Sequence, residues 1–375
     1  MDNKFNVCLF SGGRGAATIL SELVNVEQLK LVVLLNAYDD GLSTGVLRNL
    51  IPGMLGPSDI RKTFSTVLKS SNRNRNLPLA ELLEYRMGSI DSNGNAWRNR
   101  DSGSSIENSF CGDEFLNSYF DNLPLRISRK LISWTNEAFQ FLFNSIGEES
   151  LREILTDMAF GNILFAGAYL ESNKDFNAAI EVWTETFDPG ISILNVTNGE
   201  NRVLFGVKED GSLLPDEAAI VSKHKALGKI ERIFLLKQYL TESENRVLST
   251  LPKVQASAFL LDREVLPEIN SSVAVALEKA QMIIYGPGTQ HSSLLPSYMT
   301  KRIAEQIASN TAAEKVFISN IGMDHDIVGE NFDSLMENLE KYMNIGVTAS
   351  PQIPRNRLIT KSIISSFSDL SFDMA

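Results

Sequence analysis

FNVCLFSGGRGAATILSELVNVEQLKLVVLLNAYDDG, residues 5–41, decides the fold. Residues 5–10 are short, apolar and rich in strand formers, and they run straight into the glycine turn SGGRG. From Ala16 to Val24 the spacing becomes helical, with Ile19, Leu20 and Leu23 on one face. LKLVVLLN (29–36) is an unbroken apolar run, the pattern of a strand buried on both faces. Strand, glycine turn, helix and strand within about 30 residues open a parallel α/β sheet.

Further along, 58–70 reads as a helix capped by Ser58 or Asp59, and 77–87 as another. The Gly-, Ser- and Asn-rich stretch 88–112 has no period and reads as a long loop or lid, with Trp97 as a candidate stacking residue. Residues 113–185 read as mostly helical. Strands are expected at 191–196 and 202–208, joined hairpin-like through NGE, and again at 229–236. A helix over 262–280 then feeds a strand ending at Tyr285. A helix at 294–309, a strand at 314–320 and a helix at 331–343 complete the pattern. The expected fold class is α/β, a Rossmann-like, doubly wound, mostly parallel sheet with a largely helical insertion. It forms one nucleotide-binding domain over 1–345, with the loop at 88–112, the insertion at 113–185 and a tail at 346–375.

The 375 residues are 43% hydrophobic and carry a formal charge of −11, which argues against a general nucleic-acid surface. The cluster SNRNRN (71–76) is too sparse to change that. Two cysteines make neither a disulfide framework nor a zinc site, and Cys8, inside an apolar run, reads as a buried small hydrophobe. The first residues show no signal-peptide pattern, and no stretch approaches the ~18 apolar residues of a membrane span. A cytoplasmic protein without membrane or nucleic-acid partners is expected. A homodimer is compatible with the sequence.

Each unusual loop follows a predicted strand: SGGRG, NAYDDG, GPGTQHSS and NIGMDHD. In a parallel sheet these loops emerge together at the carboxyl edge, where open α/β sheets bind ligands. Gly12, Gly13 and Gly15 let backbone approach a ligand, and Gly286, Gly288 and Thr289 repeat the arrangement. The turn lacks the G-K-[ST] ending of a P-loop, and Thr18 with the DDG loop fits a dinucleotide oxidoreductase fingerprint poorly. Asp39 and Asp40 beside phosphates fit either a Mg²⁺ site or hydrogen bonding to ribose or sugar hydroxyls. Arg48 and Arg61 flank the acidic loop and either hold phosphates or pair with Asp40 and Asp59. Asn36 and Asn320 end strands and are candidates for hydroxyl or base contacts. His291 is a phosphate contact or a surface-loop histidine. His325, between Asp324 and Asp326, is a metal ligand or part of a solvated turn. No Ser-His-Asp or Cys-His nucleophile pattern is visible, so transfer by positioning and charge is the expected chemistry of an enzyme built this way.

SGGRGAATIL (11–20), NAYDDGLSTGVLR (36–48), PSDIRK (57–62) and YGPGTQHSSLLP (285–296) together resemble the motifs of the CofD/YvcK superfamily, in the same order. FGNILFAGAYL (160–170) and VLFGVKEDGSLLPDEAAI (203–220) are similar to its middle section. This chain differs from the superfamily pattern at Arg14, Leu42, Thr44 and Ser58, and in GMDHDIVGE after Ile321. The resemblance implies one of two activities. In one branch, 2-phospho-L-lactate transferases move a phospholactyl group from a nucleoside-diphosphate-linked donor, with Mg²⁺. In the other, gluconeogenesis-factor-like proteins bind nucleotide sugars and regulate carbon flux or envelope synthesis. The expected partner is therefore a nucleotide or nucleotide sugar. The resemblance places Asp39, Asp40 and Arg48 at the reacting centre. It places Gly12, Gly13, Arg14, Gly15, Asn36, Ser43, Thr44, Arg61, Gly286, Gly288, Thr289 and Asn320 around the nucleotide. Asp39, Asp40 and Asp59 are the expected Mg²⁺ ligands.

Overall fold

The computed structural model describes residues 4–12, 15–72, 75–87, 120, 122–222, 228–319, 327, 329–349 and 351–364, save the side chains of Leu42, Glu148 and Arg152. The loop 88–112 with Trp97, and the residues Gly13, Arg14, Asn320 and His325, lie outside the described residues. The chain divides into two compact units, residues 1–19, 28–38 and 194–375 in one and residues 20–27 and 39–193 in the other.

The first unit is built on a six-stranded sheet of order β3-β2-β1-β7-β8-β9. β1 (Phe5–Ser11) and β2 (Leu29–Leu35) run parallel from Phe5 opposite Leu29 to Ser11 opposite Leu35. β7 (Met282–Tyr285) lies parallel on the other side of β1, with Phe10 opposite Tyr285. β8 (Glu314–Ile318) and β9 (Lys361–Ile363) extend the sheet in parallel. Unbroken apolar runs are what a strand needs when both its faces are covered, and the last five residues of both β1 and β2 are buried. Phe10 stacks on Tyr285 and meets Tyr298 edge-on, which fixes the centre of the sheet against the chain that follows β7.

A second, three-stranded antiparallel sheet, β5-β4-β6, belongs to the same unit. β4 (Val203–Lys208) pairs with β5 (Leu213–Leu214) and β6 (Ile230–Leu236). Phe205 and Phe234 pack there with Leu248, Ala256 and Leu260 of the helices Glu242–Thr250 and Lys253–Leu261.

The structure departs from the sequence reading in four places. β3 (Ser192–Asn195) and β4 form no hairpin, because β3 joins the large sheet and β4 the small one. The connection is held instead by residues 262–270: Asn270 donates through Nδ2 to the Asn195 carbonyl at 3.1 Å, and Asn198 N–H donates to the Glu268 carbonyl at 2.9 Å. Those bonds keep 264–270 extended, so the helix expected over 262–280 starts only at Ser271, where Asn270 accepts from Ser272 N–H. The helix expected at 294–309 is broken at Arg302, whose φ of 64° ends one turn and starts Ile303–Ser309. In the tail after 345, β9 completes the large sheet, and the Leu358 carbonyl just before it accepts from the Tyr285 hydroxyl.

The second unit is helical and takes in more than the stretch from 113. Its helices are α2 (Leu42–Leu50), α3 (Ser58–Ser70), α4 (Leu77–Glu84), α5 (Leu125–Leu155), α6 (Phe160–Glu171) and α7 (Phe176–Phe187); α1 (Ala17–Leu23) follows β1. α6 is buried on nearly every side, which is why its sequence lacks a polar stripe. Gly167 lets it lie on α5: a Cβ there would fall 1.8 Å from the Trp134 carbonyl oxygen. Trp134, Trp183, Phe64, Phe165 and Phe187 make one aromatic core.

Candidate functional site

Strand order 3-2-1 turns to 7-8-9 between β1 and β7, so this is the topological switch point of the sheet. At a switch point two neighbouring strands send their connections in opposite directions, and the crevice between the loops is where such sheets take ligands. The glycine turns lie there. Gly286 N–H donates to the Phe10 carbonyl at 3.0 Å, joining the two strand ends. A Cβ on Gly15 would stand 2.2 Å from the Gly288 Cα, and Gly288 itself has φ of 150°. These glycines are required because one turn lies on the other, a demand separate from any ligand.

Beyond Gly288 the chain makes a buried π-helical turn, Gln290–Leu294, a form that recurs at functional sites. Thr289 and Ser293 share a hydroxyl hydrogen bond of 2.8 Å across it. His291 is no surface histidine: it is buried, with its ring edge-on to Tyr342 at 6.5 Å.

The end of β2 supplies the most informative side chain of this edge. Asn36 is 3% exposed, and its Oδ1 accepts from Tyr38 N–H at 2.8 Å. That bond fixes the amide orientation, so the remaining group is the Nδ2 donor. Nδ2 is buried and has no partner among the described residues. A buried unmade donor costs about 1–3 kcal/mol and is rarely tolerated without a reason.

The acidic motif belongs to the second unit. Asp39 Oδ1 accepts from Gly41 N–H at 3.2 Å, and Oδ2 accepts from Thr44 Oγ1 at 3.1 Å. Thr44 in turn shares a short hydroxyl bond with Ser58, so the DDG loop and the PSDIRK helix are bonded to each other. A Cβ on Gly56 would fall 2.2 Å from the Asp39 carbonyl oxygen, which explains the glycine before Pro57. Arg48 donates to that same carbonyl at 3.1 Å and faces Asp40 at 3.5 Å. Burial alone would raise the Asp39 pKa; the charge of Lys62 and hydrogen bonds from Ser58, Gly41 and Thr44 outweigh it and hold the carboxyl below its usual range.

Two candidate residues have partners that the sequence does not show. Arg61, read as a phosphate contact or a partner of Asp59, is turned elsewhere: it is 1% exposed, pairs with Glu84 at 2.9 Å and donates to Asn162 Oδ1 at 3.0 Å. It joins α3 to α4 and α6. Asp59, read as a metal ligand, is paired to Lys62 at 3.1 Å. Among the described residues no three carboxylate, imidazole or thiol groups converge. Asp39, Asp40 and Asp59 instead each face hydrogen-bond donors or a cation. Lys62 was missed in the sequence, although it stands three residues after Asp59 on a predicted helix, the spacing at which side chains meet.

With this geometry in place, the class is that of an α/β sheet protein carrying glycine turns at its switch point. Residues 7–366 match the sequence model of the family described as 2-phospho-L-lactate transferase CofD, and the chain belongs to that family. A gluconeogenesis factor from Halalkalibacterium halodurans is 29% identical over 167 residues, 44% of this chain and 42% of that protein. One from Bacillus subtilis is 22% identical over 321 residues, 86% of this chain and 69% of that protein. The first of these matches thus spans less than half of the relative's length. A crystal structure of a UPF0052 family member from Bacillus halodurans shares the fold at a TM-score of 0.58 and 20% identity, covering 93% of this chain and 82% of that one. A second crystal structure from that organism gives 0.59 at 19%, covering 96% and 92%. Among the described residues no helix is long and apolar enough to cross a membrane.

Proposed function

We propose that this chain binds a nucleoside-diphosphate-linked ligand at the carboxyl edge of its six-stranded sheet. The observation that carries the reading is the buried Nδ2 donor of Asn36, standing at the end of β2 beside the β1–β7 switch point. A ribose hydroxyl or a base carbonyl would complete it. The two apposed glycine turns offer backbone N–H groups close by, suited to a diphosphate.

In the first reading the bound molecule is the donor of a 2-phospho-L-lactate transferase-like reaction. The protein would then act by holding donor and acceptor in line. The description of the matched family favours this reading. In the second, the same site binds a nucleotide sugar without turnover and the chain regulates carbon metabolism or envelope synthesis. The names of the curated relatives favour that one. Native mass spectrometry of the purified protein tests both: a co-purifying nucleoside-diphosphate conjugate supports the shared binding reading, and its conversion on adding candidate acceptors selects the transferase. Failure of UDP, GDP and a UDP-sugar to bind in calorimetry would overturn it.

A further inference from the structure

The acidic loop looks like a divalent-cation site in the sequence, and the structure fills that role differently. Asp59 and Lys62 lie one turn apart on α3 with Nζ 3.1 Å from Oδ1, and the ammonium also acts on Asp39. Asp39 is engaged at both oxygens, and Asp40 faces Arg48. Three carboxylates and two cations leave these five side chains a formal charge of −3 + 2 = −1. Mg²⁺ demands near-octahedral oxygen coordination and gives up its water reluctantly, so an ion taking Asp59 as a ligand would compete with Lys62 for that carboxylate. Arg61 offers no substitute charge, since it is turned to Glu84 and Asn162. The Lys62 side chain is 26% exposed and that of Asp59 7%, so Lys62 is the more solvent-accessible of the pair.

We propose that the Lys62 ammonium is the resident cation of the acidic loop, held by Asp59, and that it excludes a divalent ion from these carboxylates.

In the test, Mn²⁺ binding to the full chain without nucleotide is followed by electron paramagnetic resonance for wild type, Lys62→Gln, Lys62→Arg and the double variant Lys62→Gln/Asp59→Asn. Wild type and Lys62→Arg are expected to bind Mn²⁺ only weakly. Lys62→Gln is expected to gain a site at least about tenfold tighter, and the double variant to lose it. Circular dichroism melts check that each variant is folded, and the contrast between Arg and Gln separates charge from packing. A tight stoichiometric Mn²⁺ site in wild type that Asp59→Asn removes would overturn the proposal, as would a folded Lys62→Gln that gains none.

Discussion

The switch-point edge and the acidic loop both read as ligand motifs in the sequence, yet they differ in what they leave open. At the edge, backbone lies on backbone at Gly15 and Gly288, while Asn36 keeps a buried donor that no described residue satisfies. In the acidic loop, Asp39 is tied to Gly41 and Thr44, Asp40 faces Arg48, and Asp59 is paired with Lys62. Unmade buried hydrogen bonds are costly, so the Asn36 donor points toward a ligand, whereas the bonds of Asp39 and the Asp59–Lys62 pair are accounted for within the loop and its helix. A run of special residues does not separate these cases; the partners of each side chain do.

The largest expected effects break the close approaches themselves. Gly15→Val in the first unit and Gly167→Val in the second would each drive a side chain into backbone, at 2.2 Å and 1.8 Å for the first added carbon. Each should cost about 1–3 kcal/mol or more in urea unfolding, because backbone cannot swing aside as a flexible side chain can. Wild-type stability in either variant would remove the argument that these glycines are packing residues.

Next comes the difference in ligand response. Asn36→Asp keeps the oxygen that accepts from Tyr38 N–H and deletes the Nδ2 donor. UDP affinity in calorimetry should fall about tenfold, the effect of one good hydrogen bond left unmade. An unchanged affinity in a folded variant would move the ligand away from β2.

A smaller effect lies in acid. The folded-state pKa of Asp39 is below the ordinary aspartate value of about 3.9, so its ionised form stabilises the fold. That contribution is complete above the unfolded value and is lost as pH falls through the lower folded value. Asp39→Asn should therefore be less stable than wild type near neutrality, with the gap closing below about pH 4. Stability profiles that stay parallel through the acid limb would contradict the assignment. The smallest effect is Gly41→Ala: the new carbon meets only Asp39 Oδ1 at 3.4 Å, and thermal unfolding should move by no more than about 0.5 kcal/mol. A large loss there would mean the loop needs glycine for more than space.

Much of the fold was legible because buried parallel strands announce themselves as apolar runs, as in LVVLL of residues 31–35. The placement of the glycine turns followed, since turns after parallel strands share an edge. What the sequence hid was non-local. β3 and β4 read as a hairpin because they are near neighbours in the chain, and the bonds from residues 262–270 that part them lie some 70 residues away. The strand at 361–363 is too short and too exposed to show a period. In the acidic loop the residue types were visible but not their directions: nothing in PSDIRK tells that Arg61 turns inward to Glu84 while Lys62 turns to Asp59. The buried state of His291 was equally hidden, since a polar turn after a strand looks exposed until the helix that carries Tyr342 covers it.

Hydrogen–deuterium exchange of the full chain with and without saturating UDP tests the location of the ligand most directly. The account predicts slower exchange on binding in peptides covering 7–16, 34–38 and 283–294, with the small sheet at 203–236 unaffected. Protection confined to the small sheet, with the three strand-end peptides unchanged, would contradict it.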